Sequence, residues 1–152
     1  MLCRMGAMKV FLAGIIQGSL AEPEIHRQDW RDEFKGVLAR HLPQAQVYCH
    51  YTAHPAGIQY ELSAIQSTLA EGNRLAAECD LLVAYVPEAS MGTAIEMCEA
   101  ARAGAVVLTV SPLKVNWVIR AYSDRIFADT RELEEFLASP KFPALMEAKR
   151  KM

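Results

Sequence analysis

Three short apolar runs fix what this chain can build. Residues 9–13 (K-V-F-L-A), 81–86 (L-L-V-A-Y-V) and 105–110 (A-V-V-L-T-V) are apolar at nearly every position. Strands of that kind need cover on both faces, which points to the interior of a parallel sheet. Stretches of helical spacing lie between them. Residues 26–42 carry Trp30, Phe34, Val37, Leu38 and Leu42 on one face. Residues 60–77 predict a second helix, weakened at Gly72 and Asn73. Residues 92–103 predict a third, closed by Gly104, and residues 115–122 a fourth. Two lesser strands are expected at 46–50 (Q-V-Y-C-H) and 125–128 (R-I-F-A), and a mobile loop at 51–58 with Pro55 and Gly57. The tail from Thr130 reads as helix broken at Pro140 and Pro143. Alternating strands and helices make βαβ units. The expectation is one α/β domain over residues 1–152, with 1–8 disordered: a flavodoxin/Rossmann-like, five-stranded parallel sheet of order 2-1-3-4-5 flanked by helices.

Composition narrows the function classes. The 152 residues are 52% hydrophobic and 22% charged, which suits a globular domain with a sizeable core. A formal charge of -2 gives no footing for nucleic acid or an anionic membrane. No apolar run approaches the roughly 20 residues that span a bilayer, and the first eight residues lack the apolar stretch of a secretory signal. Cys3, Cys49, Cys79 and Cys98 are scattered, which fits reduced thiols in a cytoplasmic protein. No His, Cys or Asp cluster has metal-ligand spacing, so neither metal nor cofactor is expected.

The chemistry concentrates between Asp80 and Arg102. A buried strand breaks at Pro87, Ser90 stands where a helix N-cap belongs, and Gly92, Thr93 and Glu96 follow. Free backbone N–H groups, two hydroxyls and a carboxylate thus meet at the C-terminal edge of the sheet, where open α/β sheets bind ligands and helix starts favour anions. In the expected strand order the first loop, with Gly14, Ile16, Gln17, Gly18 and Ser19, faces this one across a crevice. It is small in side chain and rich in accessible N–H groups, but carries no G-x-G-x-x-G fingerprint and no Walker A pattern. His50, Tyr51 and His54, after the second strand, and Ser111, Asn116 and Trp117, after the fourth, lie at the same edge. His50, Tyr51 and Asn116 are candidates for base or sugar contacts. Trp117 reads as core or subunit contact, and Arg31, beside Trp30, as a solvated charge.

The pair F-L-A-G-I-I-Q-G-S (residues 11–19) and S-M-G-T-A-I-E (residues 90–96) resembles the nucleoside 2-deoxyribosyltransferase superfamily. Within it the closer likeness is to nucleoside 5'-monophosphate N-glycosidases, which carry S-x-G-x-x-x-E at the third-strand loop. The resemblance covers residues 9 to about 111. It implies that Glu96 is the catalytic glutamate, attacking the anomeric carbon or stabilising an oxocarbenium-like species. It also implies that Ser90 holds a 5'-phosphate, with Gly14, Ile16, Gln17, Gly18, Ser19, Gly92 and Thr93 completing the cradle. The partner is then a small nucleotide or nucleoside, and the protein a homodimer or larger homo-oligomer. Gln17 stands where the hydrolases often carry an arginine. Where the superfamily tends to carry an aspartate before the third strand, this chain reads E-G-N-R, with Glu71 or Asn73 as stand-ins and no clear acid for the leaving base. Base exchange between deoxynucleosides is the first alternative, a non-catalytic nucleotide-binding module the second.

Overall fold

The computed structural model of the protein describes residues 6–152. Residues 1–5, most of the segment expected to be disordered, lie outside that range. Met8 already packs against the core.

Five strands, β1 (Lys9–Gly14), β2 (Gln46–Cys49), β3 (Leu81–Tyr85), β4 (Val106–Val110) and β5 (Arg125–Phe127), form one parallel sheet of order β2-β1-β3-β4-β5. This is the expected topology. Alternation along β1 sorts its side chains between two cores. Val10 and Leu12 pack against Phe34, Val37 and Leu38 of α1 (Trp30–His41), with α6 (Thr130–Ala138) and α7 (Lys141–Arg150) supplying Leu133, Phe136, Phe142 and Met146. Phe11 and Ala13 face the other way, toward Ala76 of α3 (Leu62–Glu78), Met97 and Ala100 of α4 (Met91–Arg102) and Ile119 of α5 (Trp117–Tyr122).

Several boundaries differ from the sequence reading. The second strand stops at Cys49, and His50 opens a short helix, α2 (His50–Ala53). The expected loop after it is therefore structured, with a 3-10 turn at Gly57–Gln59. α1 begins at Trp30 rather than His26, because the preceding chain is held against the first loop by the His26 N–H donating to Ile16 O at 2.6 Å. Gly72 and Asn73 do not interrupt α3. Pro143 does not break α7 either; it sits in the first turn, where its missing N–H has no intrahelical partner to lose. Gly104, at φ +90°, takes the left-handed conformation that ends α4.

Candidate active site

The sheet order puts the C-terminal ends of β1 and β3 side by side, with Gly14 in register with Tyr85. Their loops diverge, and a cavity of about 270 Å³ opens between them. Gly14, Ile16, Gln17 and Gly18 line it from the first loop; Ser90, Gly92, Thr93 and Glu96 line it from the start of α4. His50 and Tyr51 line it from α2, and Ile58, Tyr60, Ile65 and Leu69 form an apolar outer wall.

Local chemistry sets the walls. Ser90 is the N-cap of α4: its Oγ accepts from the Thr93 N–H at 3.5 Å and pairs with Thr93 Oγ1 at 2.9 Å. The N–H groups of the first turn keep no intrahelical acceptor and are presented beside exposed Met91 and Gly92 on the cavity side. Gly18 needs its glycine, because its φ is +56° and a Cβ would lie 2.7 Å from Ile15 Cδ1. Beside it, His26 Nε2 approaches Glu88 Oε1 at 2.9 Å, tying the first loop to the third.

Ser19 and Asn116 do not line the cavity. Ser19 is exposed, with its Oγ 3.5 Å from Glu88 Oε1. The Asn116 side chain instead caps α5, accepting from the N–H groups of Val118 and Ile119 at 3.0 and 3.3 Å. Ser111 is buried and donates to Val86 O at 2.6 Å. Trp117 is 87% exposed and so is no part of the core. Neither Glu71 nor Asn73 takes the place facing the site on α3; Gly72 does, with Glu96 and His50 both against it.

Arg31 departs most from its sequence reading as a solvated charge. It is 3% exposed and lines the cavity floor. Its Nε donates to Gln28 Oε1 at 2.7 Å, and its terminal nitrogens reach Cys49 Sγ at 3.2 Å and Gly14 O at 3.3 Å. The guanidinium also lies 4.2 Å from the centre of the Trp30 ring and 5.4 Å from that of Tyr51. Its spacing to Phe34 and Leu38, three and seven residues on, places it on the apolar stripe of α1, a signal present in the sequence.

Glu96 keeps some accessible surface because it faces the cavity, but protein encloses it on every other side. The enclosure governs its charge: burial pushes the carboxyl up from 4.5 to about 8, against the pull of Arg31. Burial also lowers His50, with help from His54 and Arg31. The Glu96 shift has a consequence for stability. The unfolded chain gives up this proton near 4.5 and the folded protein only near 8, so stability is full below the lower value and falls as pH rises between them. The loss is up to about 1.4 kcal/mol per pH unit. Urea unfolding followed from about pH 5 to about pH 8 should show a falling midpoint, and Glu96→Gln should flatten it. An equal slope in both proteins would place the effect elsewhere.

Among the described residues no three His, Cys, Asp or Glu side chains gather as a metal site, and no helix is long and apolar enough to cross a membrane. No family model and no curated protein matches the sequence. Solved structures do match. A 2-deoxyribosyltransferase from the psychrotolerant bacterium Bacillus psychrosaccharolyticus shares 15% identity at a TM-score of 0.63, over 83% of this chain and 90% of that one. A conserved protein from Enterococcus faecalis V583 shares 16% at 0.60, over 87% and 98%. The CMP N-glycosidase of Clostridium botulinum shares 19% at 0.50, over 85% and 96%. At these identities the likeness is one of fold.

Proposed function

We propose that this protein is an enzyme that cleaves the N-glycosidic bond of a nucleoside 5'-monophosphate, with Glu96 as nucleophile. The observation that carries the reading is a single enclosed carboxyl on the floor of the crevice, behind the capped start of α4 and near a buried arginine. The fold shared with a 2-deoxyribosyltransferase and a CMP N-glycosidase supports it. In this reading ionised Glu96 attacks the anomeric carbon, the base departs, and water releases the sugar from the glycosyl ester. Ser90 and the first-turn N–H groups of α4 hold the phosphate. The apolar wall of Ile58, Tyr60, Ile65 and Leu69 receives the base, with Tyr51 beside it.

One observation favours a second reading, base exchange on free nucleosides. Among the described residues Arg31 is the only Lys or Arg that lines the cavity, so an uncharged 5'-hydroxyl also suits the cradle. The protein is further taken to be a homodimer or larger homo-oligomer. Met91 at the start of α4, Trp117 at the start of α5 and Val115 in the loop just before it, each at least 80% exposed, support an apolar contact there.

Chromatography of ribo- and deoxyribonucleoside 5'-monophosphates incubated with the protein tests the first reading, and free base should appear from at least one. Exchange seen only with free nucleosides plus a second base would establish the transferase. Binding with no turnover in either set would leave a non-catalytic nucleotide-binding module.

A further inference from the structure

The glycosidic reading lacks a proton donor for the departing base. Glu71, the only carboxylate in the sequence stretch where one was expected, is exposed, and the residue of that stretch facing the site is Gly72. A Cβ placed on Gly72 would lie 3.4 Å from His50 Nδ1 and 3.9 Å from Glu96 Oε1. Both side chains thus close on the same bare position of α3, which a side chain larger than alanine would fill. His50 Nδ1 is buried and has no hydrogen-bond partner, a costly arrangement unless the ring serves a ligand or a reaction. His54 is not equivalent, since its Nδ1 already meets the Tyr60 hydroxyl at 3.0 Å.

The geometry points to His50, seated on Gly72, as the group that takes the Glu96 proton and delivers it to the leaving base. The inference rests on the N-glycosidic reading above. The proton count closes. No hydrogen bond joins the two side chains, so the Glu96 proton passes to His50 through a water in the cavity, leaving carboxylate and imidazolium. The carboxylate oxygen bonds to the anomeric carbon as the bond from that carbon to the base nitrogen breaks. The imidazolium proton goes to that nitrogen, and neutral His50 remains. His50 then removes a proton from water as the water oxygen attacks the anomeric carbon, the ester breaks, and the starting pair is restored.

The pair carries one proton when active. The charged or titratable groups acting on His50 are Arg31 on α1, His54 on α2 and Glu71 on α3, while Glu96 on α4 lies with it against Gly72. Arg31 and His54 oppose a charge on His50, and Glu71 favours one. With Glu96 raised to about 8 and His50 held below its ordinary value, the singly protonated pair spans neutral pH. Activity should therefore fall above about pH 8, where the last proton leaves. Glu96 acting alone would become more active there.

The test compares wild type and His50→Gln on the monophosphate that wild type cleaves, and on the 4-nitrophenyl glycoside of the same sugar phosphate. That leaving group needs no proton. At pH 7, in kcat/KM, which reports the steps up to loss of the leaving group and not the attack of water, His50→Gln should lose about 10²–10⁴-fold on the nucleotide and no more than about tenfold on the glycoside, for which Glu96 needs only to ionise. Its pH profile should rise, not fall, through about 8. Equal losses by His50→Gln on both substrates, or an unchanged alkaline limb, would overturn the assignment. If wild type cleaves neither compound, the glycosidic reading fails first, and the pairing is read by NMR of the His50 ring. A second titration step near 8 that vanishes in Glu96→Gln supports the shared proton, and identical curves overturn it.

Discussion

Glu96→Gln is expected to lower nucleotide turnover by at least about 10³-fold while leaving ligand affinity within a fewfold of wild type. Glutamine keeps the shape of the side chain and cannot form the glycosyl ester. No second carboxylate lines the cavity to replace it, since Glu96 is the only Asp or Glu there. The substitution also removes a carboxyl that burial holds protonated to about pH 8, so the variant should be the more stable protein at that pH. Lost activity with gained stability separates a reacting group from a structural one, whose removal would harm both. The checks are product chromatography, ligand-induced thermal shift and urea unfolding on one preparation. About a tenth of wild-type turnover in the variant would end the nucleophile assignment.

Arg31→Met should cost about 3 kcal/mol of folding stability, measured by chemical denaturation at pH 7. Methionine fills much of the volume and keeps apolar contact with Trp30 and Tyr51. It leaves Gly14 O and Cys49 Sγ without their donor in a buried setting, and Gln28 Oε1 in a half-buried one. The second effect is electrostatic. Arg31 is the cation that draws the Glu96 carboxyl down, so its loss moves Glu96 further up and any activity with it to more alkaline pH. Arg31→Lys keeps the charge without the planar fork and should restore the pH dependence better than the stability. A stability change below about 1 kcal/mol for Arg31→Met would mean that the buried fork merely replaces equivalent apolar packing.

The topology was legible because it follows from local rules. Strands apolar on both faces, separated by helical stretches, admit few arrangements other than a parallel sheet. The strand order then places the loops after β1 and β3 across one crevice. Within that crevice Ser90 and Glu96 could be read from a strand, a break, a cap and one turn of helix, all contiguous in sequence. His50 was placed at the right edge. Its packing against Gly72 was not legible, because the helix after β2 and its contact with α3 join residues that are 22 positions apart.

Sequence by itself determined the sheet, the helix capped by Ser90, and the carboxyl within its first two turns, because hydrophobic period and capping act over a few residues. Only tertiary structure decided which charges are buried. Arg31 looks like any helix-surface arginine until α1 rotates its apolar stripe onto the sheet and the carbonyl of Gly14 accepts from it. Gly72 looks like a weak point in α3 until His50 and Glu96 close over it. Both facts depend on desolvation, which is set by the packing of distant segments and leaves no period in the chain.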